Sequence, residues 1–183
     1  LRTCAAAADV DGTVSVFLEP IALYHTRDLH EPGDEGWLAP YAGENRWADV
    51  HVPIGSGRTH GDGTDLTIVT FGNGVRMSRR VAKQLEEQGV GVRVLDLRWL
   101  APLPVEDLLR EAGATGRVLV VDETRRTGGV SEGVVTALVD EGFTGRVARV
   151  ASRDSFVPLG DAANLVLVSE EQILAAATAL LDR

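Results

Sequence analysis

The chain has 183 residues, enough for one domain or one and a half and for a sizeable core, and its 44% hydrophobic and 25% charged content is ordinary for a globular protein. A net charge of −9, with no basic run longer than Arg79-Arg80 or Arg125-Arg126, disfavours nucleic acid and anionic membrane surfaces as partners. Cys4 is the only cysteine, which excludes an internal disulfide and a thiolate metal cluster and fits a reducing cytoplasm.

The opening residues, LRTCAAAADVDG, read as the end of a helix running into an Asp-Val-Asp-Gly turn. They contain no Met and no apolar core adequate for a signal peptide, so the chain reads as cut from a longer one. Residues 13–18, TVSVFL, alternate as a strand does, and Pro20, which has no N–H to give a ladder, ends it. From residue 21 to about 63 no period of 2 or 3.6 is sustained, as in a functional loop or interdomain linker. All four histidines, both tyrosines and two of the three tryptophans fall in the first 60 residues, so the two halves of the chain differ chemically.

After Asp65 the pattern is regular. Apolar runs at 66–71, 92–97 and 118–121 alternate with segments of helical period, the sign of βαβ units around a parallel sheet. The first helix, 75–88, carries Ser78, Val81, Ala82 and Leu85 on one face, and Gly89 suits a left-handed cap. Pro104 stands just before a second helix with Val105, Leu108, Leu109 and Ala112 in phase, and a third bears Val130, Val134, Ala137 and Leu138 and ends near Gly142. Residues 146–150 read as a half-exposed or edge strand and 165–168 as a further short strand. Ser169 and Gln172 form a capping box for a last helix that buries Ile173, Leu174, Ala177, Leu180 and Leu181. No apolar run approaches the roughly 18 residues that span a bilayer.

Residue by residue, no complete catalytic constellation is visible. Phe71-Gly72-Asn73-Gly74 and Gly128-Gly129 lie at strand-to-helix turns, where open α/β sheets bind ligands. They lack a full dinucleotide or phosphate-loop pattern, and a tight turn and close helix packing are the preferred readings. His25, His30, His51 and His60 have no ligand spacing, Ser131 and Ser155 have no nucleophile-elbow context, and Cys4 reads as a buried small apolar residue. Asp122-Glu123 follows a strand and offers a general acid or base, though a solvated acidic pair is favoured.

Four strings taken together, FLEPIALY (17–24), LTIVTFGNGV, VRVLDLRWLAPLPVEDLL and GRVLVVDETRRTGGV, resemble the thiamine-diphosphate-dependent 2-oxo acid dehydrogenases. The match is to the β subunit, or β half of a fused chain, of the decarboxylating component, with the branched-chain type the most similar. It covers residues 14–183. The sequence departs from the pattern at Val130-Ser131-Glu132-Gly133 and in a shorter, less proline-rich segment before the last helix.

The resemblance implies that residues 1–52 are the tail of a pyrimidine-binding domain, 53–64 a linker and 65–183 a transketolase C-terminal domain. Its fold would be a three-layer αβα sandwich around a mostly parallel sheet with one antiparallel strand. It implies a C-terminal fragment of a cytoplasmic enzyme that decarboxylates a 2-oxo acid and passes the acyl group to a lipoyl group. The fragment would be inert alone and would contribute dimerisation, as a homodimer or α/β heterotetramer, and docking to a lipoyl acyltransferase. Thiamine diphosphate and Mg would be bound mainly by parts outside this chain. Glu19, Tyr24 and His25 would rim the substrate pocket. A monovalent cation such as K would take the carbonyls of Ala8 and Thr13 and the Asp11 carboxylate, although an ordinary Asx turn at Asp11-Gly12 is the preferred reading of those positions. Two alternatives stay open: part of a transketolase-like two-carbon transferase, and an independent flavodoxin-like nucleotide-binding module at the Gly72 or Gly128 turns.

Overall fold

The computed structural model describes residues 1–182. Five strands form one sheet: β1 (Arg58–His60), β2 (Leu66–Thr70), β3 (Val92–Asp96), β4 (Arg117–Arg125) and β5 (Arg146–Ser152), in the order β1-β3-β2-β4-β5. β2 pairs in parallel with β3 and β4, and β4 with β5, while β1 joins β3 antiparallel. The helices are α1 (Arg2–Asp11), α2 (Trp47–Val50), α3 (Asn73–Glu86), α4 (Val105–Thr115), α5 (Val130–Asp140) and α6 (Glu170–Leu181).

The apolar runs become central strands because both faces of a parallel sheet are covered. On one face, Ile68, Val94, Leu119 and Val121 pack with Val81 and Leu85 of α3 and Ile173, Ala177 and Leu180 of α6. On the other, Val69, Leu95, Val118 and Val120 meet Leu108 and Ala112 of α4 and Val134 and Leu138 of α5. The result is the expected three-layer αβα sandwich with one antiparallel strand. Arg58–His60, inside the stretch assigned as linker, supplies that strand.

The helix ends follow from local chemistry. Gly89 and Gly142 take positive φ of 82° and 73°. Behind them Val90 N–H donates to the Leu85 carbonyl and Phe143 N–H to that of Leu138, closing α3 and α5. At α6 the capping box is complete, Gln172 N–H donating to Ser169 Oγ and Ser169 N–H to Gln172 Oε1.

Four expectations need correction. Residues 13–18 lie in no sheet and are exposed, since no other part of the chain runs alongside to complete a ladder. Residues 165–168 form no strand: Gly160–Leu165 is a 3-10 helix, and Val166 and Leu167 fold back onto the Ala163 carbonyl. Cys4 is partly exposed rather than buried, because α1 buries none of its residues. Finally, Gly160–Leu181 does have the length and composition of a membrane span. Here it is broken between the 3-10 helix and α6, whose Ile173, Ala177 and Leu180 are in the core.

The irregular stretch has its own order. Asp34 accepts from the N–H groups of Leu29, His30, Glu31 and Gly36, and Asp28 from those of Gly33 and Glu35. The turn so formed drives Leu29 into the interior, 2% exposed. Arg76 donates to the Asp28 carbonyl, and Arg80 to the Leu29 carbonyl and to Glu170 on α6, riveting the turn to α3.

Candidate functional site

From β2 the chain moves outward to β3, then crosses back over β2 to β4 and on to β5. The carboxyl ends of β2 and β4 therefore flank the point where winding reverses, the place where open α/β sheets form a crevice. Both turns singled out in the sequence lie there, and Asn73 and Glu123 bridge them, Asn73 Nδ2 donating to Glu123 Oε1 at 2.8 Å.

Small residues are required on both sides. Gly72 has φ 58° and ψ −131°, and a Cβ on Gly74 would stand 2.1 Å from Thr70 Oγ1. A Cβ on Gly129 would lie 2.3 Å from the Arg125 carbonyl oxygen and 2.9 Å from Asp122 Oδ2. Tight turn and close packing, the readings preferred from sequence, are what the geometry supports.

The acidic pair is not a solvated one. Asp122 is fully buried, with Oδ1 accepting from Thr124 N–H and Oγ1 and Oδ2 from Ser131 N–H, so it caps α5. Glu123 is partly buried; that desolvation pushes its carboxyl above the ordinary range, against the Asn73 hydrogen bond and helped by the nearby Asp122 charge. A carboxyl with raised affinity for a proton, held by an amide, can donate or accept a proton or a hydrogen bond. No nucleophile accompanies it: Ser131 is buried with its Oγ unpartnered, and Ser155 Oγ turns to the Phe156 carbonyl.

Pro20 brings the N-terminal segment here, its Cγ lying 3.4 Å from where a Gly72 Cβ would be. Of the three expected rim residues, Glu19 and Tyr24 meet, the Tyr24 hydroxyl donating to Glu19 Oε2 at 2.7 Å and so holding its proton more tightly. His25 is exposed and bonds to neither. At the expected cation position, Asp11 Oδ1 accepts from both Thr13 N–H and Thr13 Oγ1, and the Ala8 carbonyl accepts from Gly12 N–H. The oxygens are of the right hard kind, but the turn is already closed by its own hydrogen bonds. Among the described residues no group of three His, Cys, Asp or Glu side chains is placed to hold a metal.

The Asn73–Glu123 pairing was not foreseen, because it joins residues 50 apart in sequence. The turn at Asp122 had a local signal, Asp followed two residues on by Thr, which commonly folds back on itself, whereas its bond to Ser131 N–H, nine residues on, had none.

The decisive comparison is with the transketolase C-terminal domain family, whose profile matches residues 55–173. The chain belongs to that family. It is 29% identical over 175 residues to the pyruvate dehydrogenase E1 component subunit beta of Bacillus subtilis, covering 94% of this chain and 50% of the relative. The Staphylococcus aureus (strain Mu50) protein of the same name is 32% identical over 170 residues, 91% of this chain and 48% of its own length. The chain thus spans about half the length of these curated relatives. A split-gene transketolase solved as an inactive beta4 tetramer superposes with a TM-score of 0.65 at 28% identity, over 73% of this chain and 44% of that one. The 2-oxoglutarate:ferredoxin oxidoreductase of Magnetococcus marinus shares the fold at TM-score 0.52 and 16% identity, over 75% of this chain and 21% of that one. Membership in the family argues against the second alternative, an independent flavodoxin-like module.

Proposed function

We propose that the chain is the C-terminal portion of a thiamine-diphosphate-dependent 2-oxo acid dehydrogenase that transfers the acyl group to a lipoyl group, and that it serves assembly rather than chemistry. One observation carries the reading. Residues 55–173 close their sheet on both faces, whereas residues 13–18, rich in strand-forming side chains, extend exposed and unpaired, with Val14 91% exposed. A segment of that composition needs a neighbouring strand, which the pyrimidine-binding half of such an enzyme would supply.

Thiamine diphosphate, when bound, supplies an ylid that makes the 2-oxo acid lose carbon dioxide. Among the described residues no group of three His, Cys, Asp or Glu side chains is placed to hold Mg, and in this reading the cofactor's site belongs to the pyrimidine-binding half and a partner subunit. This chain's own residues work at the margin. Glu19 and Tyr24 border the entrance as a hydrogen-bonded pair, His25 stands beside them in solvent, and Pro20 seats the segment on the Gly72 turn. Homodimer and α/β heterotetramer are both compatible with the relatives, and the acyltransferase core would dock on the same assembly. The branched-chain subtype rests on the FLEPIALY string and the Thr127-Gly128-Gly129 string, while the curated relatives above carry pyruvate in their names. A transketolase-like role stays the alternative, supported by the split-gene neighbour.

Calorimetric titration with thiamine diphosphate and Mg²⁺ tests the assignment. The chain alone should give no binding heat, and the chain complemented with the pyrimidine-binding half and its partner subunit should bind. Tight binding by the chain alone would contradict it. For the cation, K⁺ replacing Na⁺ at constant ionic strength should raise the melting temperature of that complex, and Asp11→Ala should abolish the difference; equal melting in both salts would remove the site.

A further inference from the structure

A second cluster lies two strands from the β2 end that carries Asn73, at the β1 edge of the sheet. Arg58 stands opposite Asp96 and His60 opposite Val94. Side chains two apart on a strand share a face, so Arg58 and His60 lie on the side of Val94, which α3 covers. Arg79 reaches the cluster from α3 and Arg98 from the turn after β3; these, with Arg58, are the charges acting on the His60 ring.

Donors here outnumber acceptors. Arg79 and His60 are partly buried, and neither has a hydrogen-bonding or ion-pair partner among the described residues. Arg58 reaches only the Val50 carbonyl, at 3.3 Å, and Arg98 Nη1 only Asp96 Oδ2, at 3.4 Å. Partial burial lowers the Arg79 pKa, and with no carboxylate beside it the cluster keeps an excess of positive charge that an anion would offset. Three fixed positive charges face one carboxylate, an excess of two in a chain whose net charge is −9.

We propose that Arg58, His60, Arg79 and Arg98 form a binding site for a phosphoryl group. A phosphate dianion matches the excess charge, and guanidinium forks from three separate segments can engage several of its oxygens at once, which a single carboxylate could not satisfy. His60 adds a neutral N–H donor: burial first, and then the three cations, lower its pKa to about 4. Asp96, whose burial pushes its own pKa up, keeps Arg98 turned into the cluster through the Arg98 N–H and guanidinium. The site is independent of the thiamine reading and makes no use of the Glu123 crevice.

The test is a titration of the 183-residue chain with inorganic phosphate at constant ionic strength, followed by the NMR signals of the His60 ring. Saturable shifts, with the His60 pKa rising when phosphate is bound, are expected. Arg79→Ala should weaken binding about tenfold or more and Arg79→Lys less, since a lysine keeps charge but not the fork. Arg146→Ala, on the opposite edge strand, should leave it unchanged. Methyl phosphate in parallel separates the two sources of the group: equal affinity identifies free phosphate as sufficient, tighter binding an ester. Absence of saturation by about 50 mM phosphate, or undiminished binding by Arg79→Ala, would overturn the site. Should Arg79→Ala not melt cooperatively, Arg98→Ala, at an exposed position, reads out the same loss.

Discussion

Gly129 is a position where a single added methyl group does harm. Its Cβ would stand 2.3 Å from a backbone oxygen that cannot move without breaking the end of β4. Gly129→Ala should therefore destabilise by about 2–4 kcal/mol, seen as an earlier urea midpoint with unchanged slope. Asp122→Ala removes the acceptor of three donors, leaves Ser131 N–H buried and unpaired, and should cost about 2–3 kcal/mol by the same measurement. Asp34 belongs to the surface, and its effect is one of pH. Backbone N–H groups, Gly36 first, then Glu31, Leu29 and His30, hold its pKa well below the ordinary carboxylate value. With the folded pKa depressed, its contribution is whole above the unfolded value of about 3.9 and is lost as pH falls through the folded one. Tryptic cleavage at Arg27 should therefore be faster in Asp34→Asn than in the parent at pH 7. Acidification should raise amide exchange at Leu29 and His30 in the parent before the core loosens.

At the scale of elements, the two kinds of helix end and the sheet were legible because their causes are local. Gly89, Gly142 and the Ser169–Gln172 box each specify their own hydrogen bonds, and the short apolar runs specify burial on both faces. The failures share the opposite cause. Residues 13–18 have a strand's alternation but no ladder, and no local pattern says whether a partner is present. Residues 165–168 are apolar enough for a strand, yet the 3-10 turn ahead of them and the cap at Ser169 leave no room for one. Asn73 reads as part of a turn and Glu123 as one of an acidic pair at a strand end, but their meeting depends on strand order, which period and composition do not encode. The ion pair of Arg93 with Glu111 is another long-range product of the fold, 2.7 Å long with side-chain exposures of 15% and 7%. Arg93 also donates to the Gly63 carbonyl, tying the β1–β2 connection to α4. Glu111→Ala leaves Arg93 with carbonyl acceptors but no counter-charge and should cost about 2–3 kcal/mol, measured by chemical denaturation.

Across the whole molecule, apolar surface is distributed unevenly. The sandwich is closed, while Val14, Val16, Leu18 and Ile21 at one end and Phe156 and Leu159 near the other are largely exposed. Large contiguous apolar exposure marks surfaces made to be covered. Covering of the first group by the pyrimidine-binding half should slow amide exchange at Val14, Val16 and Leu18 by about a hundredfold or more once the halves are mixed, with little change in β2 or β4. In the function proposed above, this chain completes a 2-oxo acid decarboxylating enzyme without holding its cofactor. Carbon dioxide release from a 2-oxo acid, with thiamine diphosphate, Mg²⁺ and an artificial electron acceptor, tests it most directly. No release is expected from the chain or from the remainder of the enzyme separately, and turnover is expected when the two are combined. Turnover by the remainder alone, unchanged on adding the chain, would contradict it.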